Sequence, residues 1–295
     1  MFRLGIIGSD NSHAEAFASL ANLEEGHGGL CVPDVQVTHI YGTDPKRTKE
    51  VAEKSKIPNI VTNMEDMIGA VDGVLCVWRH GSKHCHDTVP FLKAKIPAFV
   101  DKPLAASVAD AKSLIATAQQ TGVGFTSFST LRYERDTVAY IEQLKREAGT
   151  PTIGVSTGPA DPASEYDGIF FYGIHAVELM NAVWGYGCKS VTAVATEKHV
   201  QTVCAFENGS LVTLNFLHEN PYVFHVMAFG KEKWLEHTVE SKTGYYDGML
   251  VILETLKSGK WPLTAEQLLE PVAILAAIQK SLAEKRTVAI TEVSA

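Results

Sequence analysis

The chain has 295 residues, of which 45% are hydrophobic and 20% charged, a composition typical of a globular protein with room for about two domains. Its formal net charge of -8 argues against a nucleic-acid partner, and no apolar run approaches the ~20 residues of a membrane span. The first residues lead straight into a short apolar run rather than a secretory signal, and the five scattered cysteines indicate reduced thiols, so we expect a cytoplasmic protein.

Short apolar runs alternate with helical patterns over roughly the first 125 residues. The predicted strands are 4–7, 35–41, 74–77, 98–100 and 124–127, and the predicted helices are 12–22, 45–54, 83–93 and 108–120. This alternation predicts βαβ units and a parallel sheet with helices on both faces. Asp44-Pro45 marks the start of one helix, and Ser12 with Glu15 has the spacing of a capping box at another.

The pattern changes after about residue 128. Helices are predicted at 132–145, 174–183, 245–257 and 265–284, and strands at 152–157, 190–195, 200–206, 210–216, 223–229 and 233–238. Asn208-Gly209 is a strong hairpin signal, and consecutive strands without helices predict antiparallel pairing. We therefore expect domains at 1–126 and 127–295, the second an α+β domain whose open sheet is covered by helices on one face and by a second subunit on the other.

The segment Val100-Asp101-Lys102-Pro103-Leu104 carries the clearest chemical signal. A lysine just past a buried parallel strand lies where α/β folds place their ligands. Such a lysine can hold a proton near a reacting oxygen if its surroundings lower its pKa, and the following proline restricts its backbone. The alternative is a solvated lysine in an ordinary strand-to-helix loop.

The sequence resembles the Gfo/Idh/MocA oxidoreductases, relatives of glucose-fructose oxidoreductase and inositol dehydrogenase. The resemblance rests on motifs that occur in the family's order, namely Gly5-x-x-Gly8, Asp101-Lys102-Pro103, Gly173-Ile174-His175 and Glu207-Asn208-Gly209. It implies an N-terminal Rossmann domain, with a doubly wound parallel sheet, that binds NAD or NADP. It also implies a C-terminal domain with an open, mainly antiparallel sheet that builds the substrate pocket and joins a homodimer or homotetramer.

The resemblance places the family's G-x-G-x-x-G dinucleotide loop at Gly8-Ser9-Asp10-Asn11-Ser12-His13. Only the first glycine matches, because Asp10 and His13 occupy the other two glycine positions. Asp10 adds negative charge where a pyrophosphate would lie, so the alternative is a capped turn that binds no phosphate. Gly42 stands where the family often has an acidic residue for the cofactor ribose, which leaves the choice between NAD and NADP open.

Further cofactor contacts implied by the resemblance follow the later strands, at Val77, Trp78, His84, Asp101 and Lys102. Trp78 either stacks on a cofactor ring or fills the edge of the sheet. The histidines between His80 and His86 suggest a weaker alternative, a metal-assisted enzyme. Gly81 makes a shared helical face for them doubtful, and we assign no metal ligands.

By the same resemblance, Lys102 lies beside the nicotinamide and the substrate oxygen, and His175 donates or accepts the proton. Phe171 stands where inositol-dehydrogenase-like members carry an aspartate that orients this histidine, so a buried structural histidine is the alternative. Glu178, on the same helical face, could support the imidazole instead. The candidate substrate contacts are Arg132, Tyr133, Tyr166, Tyr172 and Glu178.

Together these residues suggest an NAD(P)-dependent oxidoreductase that transfers a hydride between nicotinamide and a hydroxyl carbon of a sugar, cyclitol or related polyol. A non-catalytic dinucleotide or metabolite binder of the same fold is the alternative. It rests on Asp10 and His13 in place of two loop glycines and on Phe171 in place of the orienting aspartate.

Overall fold

A computed structural model describes residues 1–294, which form two compact units. The first unit comprises Met1–Ala105, Ala109–Thr130 and Lys242–Ala265, and the second comprises the rest of the described chain. Residues 242–265 thus belong to the first unit, although most of the second unit precedes them in the chain.

A six-stranded parallel sheet forms the centre of the first unit. Its strands are β1 Phe2–Ile7, β2 Val35–Tyr41, β3 Asn59–Ile60, β4 Gly73–Cys76, β5 Ala98–Val100 and β6 Phe125–Ser127. They lie in the order β3-β2-β1-β4-β5-β6, which is the order of doubly wound dinucleotide-binding sheets. The predicted parallel sheet is therefore confirmed, with the two-residue β3 as an additional edge strand.

Five helices belong mainly to this unit, namely α1 Ser12–Asn22, α2 Pro45–Lys54, α3 Gly81–Lys93, α4 Val108–Thr121 and α7 Gly244–Ser258. Asp44 begins α2 as predicted, since its carboxylate accepts hydrogen bonds from the backbone N–H groups of Lys46 and Arg47. α7 packs against α1, where Tyr245 contacts Phe17 with ring centroids 5.5 Å apart.

The second unit is built on a seven-stranded sheet in the order β12-β11-β7-β10-β9-β8-β13. Its strands are β7 Ile153–Pro159, β8 Cys188–Ala195, β9 Val200–Phe206, β10 Leu211–Leu217, β11 His225–Phe229, β12 Trp234–Thr238 and β13 Val288–Ala289. The predicted open, mainly antiparallel sheet is confirmed, because every neighbouring pair is antiparallel except β7 and β10. The predicted hairpin lies between β9 and β10, where Gly209 has a φ of +86°.

The remaining helices are α5 Arg135–Glu147, α6 Ile169–Trp184, α8 Ala265–Glu284 and α9 Thr291–Ser294. α6 packs against β7 and β10, and the Ser156 hydroxyl donates a 2.8 Å hydrogen bond to the Ala176 carbonyl. A Cβ on Gly173 would lie 3.2 Å from the Phe216 ring, so the glycine lets this helix approach the sheet closely. α6 begins five residues before the predicted start at 174, and its first two residues, Ile169 and Phe170, are already buried.

The opposite side of this sheet, which we call the open face, carries apolar side chains between 38% and 62% exposed. They alternate along the strands with buried residues, as expected for a sheet covered on one side only. Its largest apolar members are Ile153, Val194, Val203, Leu211, Phe229 and Trp234. Within residues 1–294, no helix is both long and apolar enough to cross a membrane.

Candidate active site

Gly8 follows β1 with a φ of +103° and lies directly under the indole of Trp78. A Cβ at this position would be 2.9 Å from the Trp78 backbone nitrogen and 3.0 Å from its ring carbon Cδ2. The indole is 1% exposed, and its Nε1 donates a 2.8 Å hydrogen bond to Asp87. Protein atoms cover the ring, which favours the alternative that Trp78 fills the edge of the sheet.

The turn after Gly8 is capped by Asn11 rather than by the predicted Ser12. The Asn11 amide oxygen accepts a hydrogen bond from the His13 backbone, and its amide nitrogen donates to the Val77 carbonyl. Asn11 therefore joins the start of α1 to the end of β4. Glu15, the expected partner in a capping box, instead forms ion pairs with Arg47 and Lys54.

Three successive backbone N–H groups at this turn, those of Asp10, Asn11 and Ser12, have no hydrogen-bond acceptor among the described residues. Free N–H groups at the start of an eleven-residue helix form the kind of site that binds phosphate oxygens. The Asp10 carboxylate accepts a 3.3 Å hydrogen bond from the Arg79 backbone, so it is directed to the neighbouring loop. The backbone of this turn fits a pyrophosphate even though two of the family's glycines are absent.

The end of β2 carries no carboxylate for a cofactor ribose. A Cβ at Gly42 would lie 2.1 Å from the Ser9 hydroxyl, so this glycine is required for packing against the loop. The Ser9 hydroxyl is itself 2.8 Å from that of Thr48, and the Arg47 guanidinium donates to the Ser9 carbonyl. Ser9 and Gly42 therefore fix the loop in place.

His84 is fully buried at the first turn of α3. Its Nδ1 lies 2.7 Å from the Pro103 carbonyl and its Nε2 lies 3.0 Å from the Trp78 carbonyl. Burial lowers the pKa of this imidazole. The side chain therefore lies between the loop after β4 and the turn that carries Lys102, and as a neutral imidazole it donates to one of these two carbonyl groups.

Lys102 follows β5 and is 5% exposed. Burial lowers its pKa to about 8, against the opposing effect of Asp101 and with a smaller contribution from Arg79. A lysine with such a pKa changes its charge close to neutral pH, which suits a group that takes up and releases a proton. The predicted loop lysine is thus a buried amine rather than a solvated one.

His175 belongs to the second unit, where it is 7% exposed on α6. Its ring contacts those of Tyr172 and Phe224, at centroid distances of 5.5 and 5.2 Å. Tyr166 packs on Phe171, which packs on Tyr172. The histidine therefore lies in an aromatic cluster.

Arg132, Glu178 and Tyr186 form a buried polar group in the second unit. The Arg132 guanidinium donates to the Glu178 carboxylate at 2.8 Å and to the Tyr186 hydroxyl at 3.0 Å. Burial alone would lower the pKa of Arg132, but Glu178 keeps it above its usual value. The guanidinium carbon Cζ of Arg132 lies 5.9 Å from the centroid of the Tyr133 ring. Glu178, a candidate support for the imidazole, forms this ion pair with Arg132.

Two aromatic residues near His175 were not expected from the sequence, namely Phe224 and the 67% exposed Tyr222. They lie in the loop between β10 and β11, at or beside a predicted strand, and no motif distinguishes them. Tyr222 also contacts Tyr172, so the aromatic cluster extends from the buried histidine to the surface.

The metal alternative finds no support in the described part of the chain. No group of three or more His, Cys, Asp or Glu side chains there could hold a metal ion. Each ring nitrogen of His84 faces a backbone carbonyl oxygen, at 2.7 and 3.0 Å. His86 lies 2.6 Å from Asp87, with its side chain 85% exposed.

The strand order, the free N–H groups at the start of α1 and the buried lysine after β5 are features of a doubly wound dinucleotide-binding domain. Residues 2–128 match a family described as "Oxidoreductase family, NAD-binding Rossmann fold". Over these residues the chain matches the Gfo/Idh/MocA oxidoreductase family, in agreement with the expected resemblance and with the expected dinucleotide cofactor.

Solved structures show the same fold over nearly the whole chain. A probable dehydrogenase from Thermotoga maritima superposes with a TM-score of 0.84 at 20% identity, over 99% of this chain and 100% of its own. Myo-inositol 2-dehydrogenase from Lactobacillus plantarum superposes with a TM-score of 0.84 at 15% identity, over 98% of this chain and 99% of its own. Scyllo-inositol dehydrogenase from Lactobacillus casei, solved with NAD(H) and scyllo-inositol, superposes with a TM-score of 0.83 at 13% identity, over 99% of both chains. No match was found among curated proteins.

Proposed function

We propose that the chain is an NAD(P)-dependent oxidoreductase that acts on a hydroxyl carbon of a sugar, cyclitol or related polyol. The observation that carries this proposal is Lys102, a buried amine with a pKa of about 8 at the carboxyl end of a strand in an NAD-binding domain. The substrate class follows from structural neighbours that are inositol dehydrogenases, one of them solved with NAD(H) and scyllo-inositol.

The turn from Gly8 to His13 would hold the pyrophosphate, mainly through the backbone N–H groups of Asp10, Asn11 and Ser12. Gly42 and Val77 border the same end of the sheet. Trp78 would support the turn by packing on Gly8, and His84 would support Trp78 through its backbone carbonyl. Asp101 and Lys102 would lie towards the nicotinamide end. When bound, the nicotinamide would accept or donate the hydride.

We assign the proton to Lys102, with His175 as the second proton-handling group. In the direction of oxidation, the neutral Lys102 amine takes the proton of the substrate hydroxyl while the C–H hydride leaves. In the direction of reduction, the ammonium returns that proton to the developing alkoxide. Burial of Lys102 favours this role because it brings the two protonation states close in free energy near neutral pH.

The aromatic cluster around His175 would contact the substrate, with Tyr166, Tyr172 and Tyr222 offering hydroxyl groups beside apolar ring faces. Sugars and cyclitols present both C–H faces and hydroxyl groups, which suits such a mixed surface. Arg132 and Tyr133 would contribute through the polar group that Glu178 holds in place.

A second candidate function, binding without turnover, is favoured by the Asp10 carboxylate at the phosphate turn and by Phe171 in place of an orienting aspartate. A binder would need the turn and the fold but not the titratable lysine. The two functions therefore differ in what they require of Lys102.

Binding of NADH and NADPH, followed by fluorescence, and turnover of a panel of sugars and inositols, followed at the nicotinamide absorbance, separate the candidates. For the enzyme, Lys102→Met should reduce kcat/KM by about 10²–10⁴-fold while NADH still binds. The matched control is Lys93→Met, an exposed lysine at the end of α3 in the same unit, which should leave kcat/KM unchanged.

Tight nucleotide binding without turnover of any panel member, unaltered in Lys102→Met, would support the binder. Absence of binding of either nucleotide would overturn both candidates.

We further propose that the chain forms a homodimer or homotetramer through the open face of the second unit. The six large apolar side chains there lie on neighbouring strands and form a continuous surface, which in a monomer would remain in contact with water. A second copy presents the same surface and can cover it symmetrically.

A further inference from the structure

Asp101 has two basic neighbours in the first unit, one in contact with its carboxylate and one next to it in the chain. Its Oδ2 is 2.6 Å from Nδ1 of His13, and Lys102 is the next residue in the chain. The carboxylate is 1% exposed, and neither oxygen accepts a hydrogen bond of good geometry from a described residue. A carboxylate buried in this way depends on neighbouring positive charge.

The electrostatics of Asp101 agree with this dependence. Burial alone would raise its pKa, but His13, Lys102 and His84 together hold the pKa below its usual value. His13 has the largest favourable effect of the three. The negative charge of Asp101 is therefore shared mainly with the imidazole on α1.

The imidazole is fixed in this position. Its ring packs edge-on against Tyr245 and Phe17, at centroid distances of 5.2 and 6.4 Å. Its backbone N–H donates to the Asn11 cap. The side chain is 16% exposed, so it lies at the border between solvent and the buried carboxylate.

Two neighbouring charges act on Lys102 in opposite directions. Asp101 favours the ammonium form, whereas Arg79 opposes it. The contact with His13 weakens the hold of Asp101 on the ammonium, since the one carboxylate then interacts with both the imidazole and the amine.

We propose that His13 is a positioning residue for Lys102, which acts through Asp101: the imidazole Nδ1, 2.6 Å from the carboxylate Oδ2, competes with the lysine amine for the Asp101 carboxylate. The residue stands where the family's loop has a glycine, so this coupling is a property of this chain rather than of the loop motif. The inference rests on the proposed role of Lys102 as the group that handles the proton.

The test is an NMR titration of the full chain with isotopically labelled lysine, without cofactor or substrate. The Lys102 signal is assigned by its loss in Lys102→Met. The variants are His13→Gln, His13→Gly, Asp101→Asn and the double variant His13→Gln with Asp101→Asn. The matched control is His86→Gln, because His86 also lies 2.6 Å from an aspartate but is 85% exposed and pairs with Asp87.

Both His13 variants should raise the midpoint of the Lys102 titration by about one pH unit, and Asp101→Asn should lower it by a similar amount. The double variant should match Asp101→Asn alone, because the imidazole acts only through the carboxylate. His86→Gln should leave the midpoint where it is in the unmodified chain. Use of two His13 variants, each checked by circular dichroism, guards against a single misfolded protein.

The inference is overturned if the His13 variants leave the Lys102 midpoint within about 0.2 pH unit of the unmodified chain. It is equally overturned if His13→Gln shifts the Lys102 midpoint by the same amount in the Asp101→Asn background as in the unmodified chain. The titration needs no turnover, so coupling without hydride transfer would contradict the proposed function alone. Turnover without coupling would contradict only the role of His13.

Discussion

At the scale of single residues, Lys102 is maintained at a cost to stability. Its pKa is about 8 in the folded chain and ~10.4 for a lysine in an unfolded chain. Between these values the unfolded state binds more protons than the folded state, so the free energy of unfolding rises with pH across this window. Below pH 8 the full penalty applies, which amounts to about 3 kcal/mol at ~1.4 kcal/mol per pH unit.

We therefore expect Lys102→Met to be more stable than the unmodified chain by about 3 kcal/mol at pH 7, because methionine fills the buried space without a charge. The difference should shrink as the pH rises from 8 to 10.4. Urea unfolding followed by circular dichroism at several pH values measures it. Lys93→Met, at an exposed position, should show no such trend, and a pH-independent difference for Lys102→Met would contradict the assigned desolvation.

The sequence identified the two residues on which the proposed chemistry depends, Lys102 and His175, because both stand in recognisable motifs. It did not reveal the roles of Trp78 and His13, since those depend on which side chains face each other across β1, β4 and β5. Residue type alone could not distinguish an indole that covers Gly8 from one that stacks on a ligand.

At the scale of secondary-structure elements, α8 holds the start of β8 through one carboxylate. Glu270 accepts hydrogen bonds from the backbone N–H groups of Gly187 and Cys188, at 2.7 and 3.3 Å. Burial raises the pKa of this carboxyl despite these donors. The contact connects the last long helix to the strand that follows α6.

Replacing Glu270 with alanine should lower the free energy of unfolding by about 2 kcal/mol, because two buried N–H groups lose their acceptor. Glu270→Gln keeps one carbonyl oxygen and should lose less. Chemical denaturation compares them with Glu284→Ala, near the exposed end of the same helix, which should change stability by less than ~0.5 kcal/mol. Equal losses for Glu270→Ala and Glu284→Ala would show that the backbone acceptor is unimportant.

Elements with a clear period were the easiest to predict. The alternation of strands and helices in the first half gave the parallel sheet, and the Asn208-Gly209 turn gave the β9–β10 hairpin. The start of α6 was missed because its first turns contain adjacent aromatic residues and no side-chain cap. The parallel pairing of β7 with β10 has no local signal, since it joins strands separated by α6 and two further strands.

At the scale of the whole molecule, the open face should decide the oligomeric state. Leu211→Glu places a charge among the apolar side chains of that face, so we expect a shift towards monomer in light scattering coupled to size-exclusion chromatography. Leu250→Glu is the matched control, because Leu250 is similarly exposed, at 42% against 45%, but lies on α7 in the first unit. A monomeric unmodified chain, or equal effects of both variants, would contradict the proposed assembly.

The composition of the two units does not follow the order of residues in the chain. Residues 242–265 follow the last long β-hairpin, yet α7 packs against α1 and β6 of the first unit. Hydrophobic periodicity predicted this helix but could not identify its neighbour, because an apolar helical face fits any apolar surface of similar size.

The packing of Trp78 on Gly8 has an optical consequence. The indole lies against the first residue of the turn proposed to hold the pyrophosphate, and its emission overlaps the absorption of reduced nicotinamide. Energy transfer from this ring therefore depends on whether reduced dinucleotide occupies that turn. Trp78 would thus serve as an intrinsic spectroscopic reporter of the turn that begins at Gly8.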